Sequence, residues 1–247
     1  MNTALLINTT GLVVRERRIN ESDRLLNILT PDRGLITAFA DGALRLKNKN
    51  SAATGLLCYS KFTLYHGKDT YKVNEASAVN VFFRLREDIV KLTLAQYFCE
   101  LSKNLAPEEE NADEYLRLTL NALHLLAEEK RSPLLIKAAV ELRMLILAGY
   151  MPELGACREC GGHQDDFLFD FDGGILCRNC FAGQKNAVPL SKGVLAALRH
   201  IVSSGFERMF SFSLPQNTLE ELCRVVERFL LVQTECAFKT LEFFKTL

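Results

Sequence analysis

Four cysteines in the second half of the chain have the spacing of a metal site. They form two Cys-x-x-Cys pairs, Cys157 with Cys160 and Cys177 with Cys180, and sixteen residues separate the pairs. Two such turns can place four sulfur atoms around one ion, and this spacing is typical of tetrahedral zinc sites. Because four thiolates leave no coordination position open, the sequence predicts one structural Zn²⁺.

Two other interpretations of the cysteines remain open at this point. The pairs could form a redox dithiol, although the βαβ pattern that accompanies such motifs is missing, or the arrangement could be accidental. His163 is near enough in sequence to replace one sulfur ligand. We favour a surface position for this histidine.

The residues between the pairs read as a β-hairpin. Aromatic and acidic residues alternate over residues 167–172, and Gly173 and Gly174 supply a turn. Four aspartates in this segment could be imagined as a two-metal nuclease cluster: Asp165, Asp166, Asp170 and Asp172. The alternation instead predicts that Asp170 and Asp172 share one exposed face, which disfavours the nuclease.

The remaining cysteines show no pairing pattern. They are Cys58, Cys99, Cys223 and Cys236, and their apolar surroundings predict buried core thiols. The sequence shows neither a secretion signal nor a membrane-spanning apolar run. We therefore expect a cytoplasmic protein without a membrane partner, in which thiols stay reduced and paired cysteines hold metal.

Basic residues are concentrated at the front of the chain. In residues 1–80, eleven Lys and Arg stand against seven Asp and Glu, although the whole chain has zero net charge. The candidate DNA-binding residues are Arg15, Arg17, Arg18, Arg24, Arg45, Lys47 and Lys49. Such cations can neutralise phosphates along a groove, but charge runs are more often plain solvated surface. Aromatic residues at 59, 62, 65 and 71 could stack on bases, but their alternation favours a place in the core.

The predicted secondary structure changes from strands to helices near residue 80. Five apolar and β-branched segments predict strands over residues 5–19, 24–30, 35–40, 56–65 and 71–81. Turn residues at 30–34 and 66–69 predict hairpins. Five short strands in this length fit a small closed barrel, either an OB-fold or an SH3-like barrel.

Apolar residues recur at helical spacing after residue 81. The predicted helices cover residues 85–101, 115–126, 134–147, 191–203 and 218–244. The acidic run at 108–110 predicts the solvated start of a helix. The predicted fold is thus α+β and multidomain: a barrel at 1–80, a helical bundle at 81–247, and a zinc ribbon inserted at 155–184.

The sequence carries no recognisable catalytic signature. It lacks a phosphate-binding loop of the G-x-x-x-x-G-K-[ST] type, a zinc-deaminase pattern and a nucleophile beside a plausible histidine. We therefore expect a protein that is not an enzyme. An interaction adaptor, with only incidental nucleic-acid contact, is the alternative to a DNA-binding protein.

Two longer segments resemble a known family. The segment TTGLVVRERRINESDRLLNILTPDRGLITAFADGALR, and Tyr150-Met151-Pro152-Glu153-Leu154 leading into Cys157-x-x-Cys160-Gly161, resemble the RecO family of bacterial DNA repair proteins. The resemblance covers nearly the whole chain and implies the order OB-fold, helical domain, zinc-binding insert.

The resemblance also implies a function. Members of this family bind single- and double-stranded DNA, anneal complementary strands, and work with RecR to load RecA onto strands covered by single-stranded DNA-binding protein (SSB), whose acidic C-terminal tail they contact. By position, the family's basic loop matches Arg45, Lys47 and Lys49, and its Arg-rich first strand matches Arg15, Arg17 and Arg18. The family usually has Lys where Asp41 stands here, which implies that partners supply part of the DNA affinity.

Overall fold

The computed structural model describes residues 6–45, 47–67, 70–163, 166–181 and 186–247. The chain forms two compact units. Met1–Glu129 and Phe238–Leu247 make the first unit, and Lys130–Ala237 make the second. Among the described residues, no helix combines the length and the apolar character needed to cross a bilayer.

Five strands of the first unit close into a barrel. They are β1 (Leu6–Arg18), β2 (Arg24–Thr30), β3 (Gly34–Ala40), β4 (Tyr59–His66) and β5 (Tyr71–Asn80). Their order around the barrel is β1-β2-β3-β5-β4, and β3 pairs with β5 in parallel. This is an OB-like barrel, so the structure confirms one of the two barrel types that the sequence left open.

Strand β1 is long enough to pair with two neighbours. Its first half pairs with β4 and its second half with β2, with a bulge between Val13 and Arg15. Bulges increase local twist, which suits a strand that turns a barrel corner. The inward side chains, including Leu26, Ile28 and Phe62, form a buried core.

The turn between β2 and β3 confirms the predicted hairpin. Gly34 has φ +61°, and a Cβ atom there would lie 2.1 Å from the Pro107 carbonyl oxygen. A left-handed, crowded position of this kind requires glycine. Lys68 and Asp69 of the second predicted hairpin turn lie outside the described residues.

The acidic run at 108–110 does not start a helix, contrary to our expectation. The Leu35 N–H donates to the Pro107 carbonyl and the Ala112 N–H donates to the Pro31 carbonyl. The segment is therefore held against the hairpin by backbone hydrogen bonds, and Glu109 within it adopts a left-handed conformation. The next helix begins only at Asp113.

Three helices complete the first unit: α1 (Ile89–Leu105), α2 (Asp113–Ala127) and α6 (Lys239–Phe244). Helix α1 packs on β1 and α2. The predicted final helix is interrupted where Glu235 adopts a left-handed conformation. Phe238 then packs edge-to-face on Tyr97 at 5.9 Å, and Glu100 accepts hydrogen bonds from the first N–H groups of α6.

Helices α1 and α2 pack on the barrel and α6 packs on α1, so all three belong to the first compact unit, while the domain bounds at residues 80 and 81 stay a prediction. The second unit contains α3 (Pro133–Leu147), α4 (Lys192–Ser203) and α5 (Gln216–Thr234), with strands β6 (Phe167–Asp170), β7 (Gly174–Cys177) and β8 (Ala187–Pro189). Helix α3 packs on α5. Between them, the buried Lys137 ammonium lies 2.8 Å from carboxylate oxygens of Glu141 and Glu227.

Candidate metal centre and nucleic-acid interface

The four predicted cysteine ligands converge on one point. Cys157, Cys160, Cys177 and Cys180 have sulfur atoms that all lie within 4.8 Å of one another. The Cys160 and Cys177 sulfurs are 3.8 Å apart. Metal–sulfur bonds of about 2.3 Å in a tetrahedron give an edge of about 3.8 Å, so the cluster can hold one metal ion.

The surrounding backbone favours the thiolate form at Cys157. Burial opposes ionisation there, but backbone N–H groups of Cys177, Cys160 and Glu159 donate to its sulfur and lower its pKa to about 6. Hydrogen bonds among the neighbouring sulfurs raise the pKa of Cys180 to about 12. A metal ion binds the thiolate form, so metal binding to the cluster would release the protons that its thiols carry.

The predicted hairpin lies between the two ligand turns, and Cys177 ends its second strand. Strands β6 and β7 are antiparallel, with Asp170 opposite Gly174 and Phe167 opposite Cys177, and Gly173 turns the chain at φ +134°. Phe169 packs edge-to-face on Phe229 of α5 at a centroid distance of 5.2 Å. The hairpin is thus docked on α5 as well as braced by the cysteines.

One part of the hairpin prediction was wrong. Asp170 is fully buried rather than exposed, and its Oδ2 lies 3.1 Å from Nη1 of Arg158, an ion pair that accounts for the burial. Asp172 is exposed, and Asp166 lies 3.6 Å from Arg178. Asp165 lies outside the described residues. Within the described part of the chain, the only group suited to a metal is the cysteine cluster.

The other predicted thiols divide into two environments. Cys58, Cys99 and Cys223 are buried, as predicted. Cys236 is exposed, contrary to the prediction, because it lies in the break between α5 and α6. His163 is exposed and stands outside the cysteine cluster.

On the outer face of the barrel, directly opposed residues of four neighbouring strands form a row. Arg17 faces Leu25, Leu25 faces Phe39, and Phe39 faces Lys72 of β5. Directly opposed residues of paired strands point to the same side of a sheet. Arg17, Phe39 and Lys72 are all exposed, so two cations and one aromatic ring lie on one surface.

A second row lies beside the first. Arg15 faces Asn27, and Asn27 faces Thr37, with the Asn27 amide donating to the Thr37 hydroxyl at 3.0 Å. Arg15 is exposed. We call these two rows, Arg15–Asn27–Thr37 and Arg17–Leu25–Phe39–Lys72, the barrel face. Such a face offers charge to phosphates, hydroxyl and amide groups to sugars, and a ring to a base.

Comparison with known proteins identifies the family. The family model described as the N-terminal part of recombination protein O matches residues 1–82, and the model described as its C-terminal part matches residues 86–242. The chain belongs to the RecO family. RecO relatives include a DNA repair protein of Acetivibrio thermocellus, 37% identical over 98% of this chain and 97% of that protein. Another, from Symbiobacterium thermophilum, is 32% identical over 98% of each chain.

The predicted basic loop of this RecO family member lies between β3 and β4. We define it as residues 41–50; it carries Arg45, Lys47 and Lys49, all exposed, while Leu46 lies outside the described residues. Lys49 is paired with Glu75 of β5 at 2.7 Å. Lys72 of the barrel face is paired in the same way with Asp41 at 2.6 Å. Both pairs are solvent-exposed and therefore weak.

Two side chains fix the ends of the basic loop. The Asp23 carboxylate accepts the Gly42 N–H at 2.7 Å, and this bond, with others from Asn20 and Ser22, lowers the pKa of Asp23. At the other end, the buried Asn50 side chain accepts the Ala76 N–H at 3.0 Å. The loop is therefore held in place by the barrel.

Arg24, a predicted DNA contact, is engaged within the barrel. Its Nη1 donates to the Ser51 carbonyl at 2.8 Å and to the Thr54 hydroxyl at 3.1 Å, and its Nε lies 3.6 Å from Glu16. Only 15% of the Arg24 side chain is exposed. Arg24 supports the segment after the basic loop, whereas Arg18, its partner in register, is exposed.

The aromatic residue best placed for stacking was missed. Phe62 and Tyr71 belong to the core and Tyr59 is half-buried, in line with the preferred interpretation, while Tyr65 is partly exposed. Phe39 is 37% exposed on the barrel face. Strict alternation along β3 could have found it, because Ala38 and Ala40 on either side are buried.

Proposed function

We propose that this chain is a recombination mediator in DNA repair that binds single- and double-stranded DNA and is not an enzyme. Membership of the RecO family supports a DNA repair role. The observation that carries the proposal is the barrel face, where Arg15, Arg17 and Lys72 lie on the same side of the sheet as the exposed ring of Phe39. The outer surface of strands 2 and 3 is where OB-folds bind oligonucleotides.

Annealing of complementary strands needs no covalent chemistry. Cations that bind phosphates lower the repulsion between two strands while leaving base edges free to pair. The basic loop, anchored by Asp23 and Asn50, adds Arg45 and Lys47 to the cations available for this purpose. We propose that the chain anneals strands in this way.

The proposed partners follow from the family. We infer that the chain works with RecR, contacts the acidic C-terminal tail of SSB, and helps to load RecA onto SSB-covered single strands in the cytoplasm. Lys49 is paired with Glu75, and Lys72 is paired with Asp41. These carboxylates offset part of the positive charge that would bind phosphate, which supports the proposal that partner proteins supply part of the DNA affinity.

We infer that the metal is one Zn²⁺ with a structural role. Four sulfur donors within 4.8 Å suit zinc, and four ligands leave no position for a substrate. When bound, the ion would link the turns at Cys157–Cys160 and Cys177–Cys180. The ribbon would then stay docked on α5 through Phe169 and Phe171.

Annealing of precoated strands tests the proposed function. Complementary oligonucleotides are coated with SSB, either intact or lacking its acidic tail, and duplex formation is followed with and without this protein. We expect acceleration on strands coated with intact SSB and a weaker effect when the tail is missing. If neither bare nor coated strands anneal faster, the proposal is wrong.

A further inference from the structure

The row of the barrel face that ends at Lys72 continues onto strands that the proposed function does not use. Lys72 of β5 faces Tyr65 of β4, and Tyr65 faces Leu6 at the start of β1. Directly opposed residues of paired strands point to the same side of a sheet. Tyr65 and Leu6 therefore lie on the outer surface of the barrel, in line with Phe39 of the barrel face.

This continuation of the row is apolar and open to solvent. Leu6 is 52% exposed, Tyr65 is 36% exposed and Phe39 is 37% exposed. Exposed apolar side chains that adjoin one another on a protein surface mark an interaction site. Lys72 lies between the two rings, and because its charge is already paired with Asp41 at 2.6 Å, it contributes its alkyl stem to the row. The row therefore offers a ligand ring and alkyl surface rather than free charge.

A polar trough adjoins Tyr65 on the same side of the barrel. Thr63 precedes Tyr65 by two residues on β4, so both side chains point outward. The trough has a volume of about 530 Å³, and its hydroxyl and amide groups include those of Asn8, Thr10, Thr63 and Ser77. Glu75, which also lines it, is paired with Lys49 of the basic loop. Hydroxyl and amide side chains of this kind bind the sugar and phosphate oxygens of nucleic acids.

Two rings on one surface suit unpaired bases. Neighbouring strands of a sheet lie about 4.8 Å apart, so Phe39 of β3 and Tyr65 of β4, with β5 between them, are about 10 Å apart. The bases of a duplex are stacked on each other about 3.4 Å apart, which leaves no base face for a side chain. An unpaired strand can place a base on each ring, and such stacking tolerates any base. We propose that Tyr65 is a second base-stacking residue, and that a single strand crosses the barrel from Phe39 over Lys72 to Tyr65.

This inference rests on the proposed function and deepens it. The arginines of the barrel face offer charge to phosphates, which single and double strands both carry. Phe39 and Tyr65 offer rings to bases, whose faces only a single strand exposes. The second ring makes Tyr65 a determinant of the preference for single strands. It also lengthens the bound segment toward β4 and the start of β1.

Removal of the ring separates stacking from charge. In the full chain, Tyr65→Leu removes the ring and keeps an apolar side chain, whereas Tyr65→Phe keeps the ring. Affinities for an oligothymidylate and for a duplex are measured by fluorescence anisotropy across a salt series. We expect Tyr65→Leu to weaken single-strand binding by about fivefold or more and duplex binding by less. The salt slopes should not change, because no cation is removed, and Tyr65→Phe should bind as the wild type does.

Oligonucleotide length shows whether the two rings hold one strand. Tyr65→Leu should lower the affinity for long oligothymidylates, but not for those too short to reach β4 from Phe39. The losses caused by Phe39→Ala and Tyr65→Leu should multiply in the double variant, because bases on separate rings act independently. An oligonucleotide that carries iodouracil should crosslink to Tyr65 of the wild-type chain on irradiation, and peptide masses locate the crosslink.

A matched control removes a similar ring elsewhere. Tyr150 is 38% exposed and lies in the second unit, so Tyr150→Leu should leave both affinities and both salt slopes unchanged. Thermal unfolding confirms the fold of each variant. The crosslink is measured on the wild-type chain and does not depend on how well Tyr65→Leu folds.

Four results would overturn the inference. Wild-type affinity in the folded Tyr65→Leu chain, without a crosslink at Tyr65, would remove the second ring and leave the barrel face standing. Equal losses on single strands and duplexes, or a lower salt slope, would show that Tyr65 does not act by stacking on bases. Loss of self-association in sedimentation, with oligonucleotide binding unchanged, would assign the row to contact between copies of this chain. A wild-type chain that binds no DNA would reject the proposed function itself.

Discussion

The side chain of Asn50 accepts a hydrogen bond from the backbone N–H of Ala76 at 3.0 Å. Asn50 closes the basic loop, and Ala76 lies in β5, so this bond fixes the loop to the barrel. Asn50 is only 8% exposed, and its amide nitrogen lies 3.4 Å from the Asn74 carbonyl. The Asn50 side chain thus takes the place of the backbone carbonyl that a neighbouring strand would offer to the Ala76 N–H.

Replacement of this anchor should weaken DNA binding through the cations of the loop. We expect Asn50→Ala to lower the free energy of unfolding by about 1–3 kcal/mol, because the buried Ala76 N–H loses its partner. DNA affinity and the salt slope should both fall, because the cations of a released loop lose phosphate contacts. Denaturant unfolding and salt titrations check this, with Asn104→Ala, at an exposed position of α1, as the control. An unchanged affinity and salt slope would show that Asn50 does not position the loop for DNA binding.

Removal of a competing carboxylate should strengthen DNA binding. Glu75→Gln abolishes the 2.7 Å ion pair with Lys49 and leaves that cation available to phosphate. We expect higher affinity for all sequences alike and a steeper salt dependence, by up to about 0.7 on single strands. Fluorescence anisotropy across a salt series measures both quantities. An affinity equal to that of the wild type would mean that Lys49 takes no part in binding.

Loss of the metal should loosen the ribbon and the helix that it packs on. With Cys157→Ser and Cys177→Ser, or after chelation, we expect faster amide exchange in 167–177 and α5, because Phe169 and Phe229 lose their fixed contact. Elemental analysis should find about one zinc per chain in the wild type. Amide exchange in the barrel should not change. A stable, metal-free wild-type protein with a protected ribbon would contradict the metal assignment.

The exposed ring of Phe39 should matter more for single strands than for duplexes. Stacking of a base on an aromatic side chain contributes about 1–3 kcal/mol, and bases in a duplex are already stacked. We expect Phe39→Ala to weaken single-strand binding by about fivefold or more and duplex binding by less. Phe243→Ala, at an exposed position of α6, is the matched control. Equal losses on both substrates would argue against stacking.

Much of the local structure could be predicted from the sequence. Alternation and turn residues predicted the five strands within a few residues, and the spacing of the four cysteines predicted their cluster. These features depend on neighbours in sequence, which is why they can be read from it. The barrel type could not be predicted from the sequence, because it depends on the parallel pairing of β3 with β5.

Sequence analysis was least informative for side chains whose burial and partners depend on tertiary contacts. Asp170 looked exposed by alternation, but its pairing with Arg158 allows it to be buried. Arg24 stays a predicted phosphate contact, but nothing in the sequence indicated that its guanidinium donates to the carbonyl of Ser51, which is distant in sequence. Charge and periodicity along the chain do not reveal such partners, whereas strand register does reveal the barrel face.

The salt dependence of single-strand binding tests the central claim most directly. The account predicts that Arg15→Gln with Arg17→Gln lowers the slope of log K against log salt by about 1.4 and weakens binding to all sequences alike. Lys239→Gln, at an exposed position of α6, should leave the slope unchanged. If the double variant keeps the wild-type slope and affinity, the barrel face is not where this protein binds DNA.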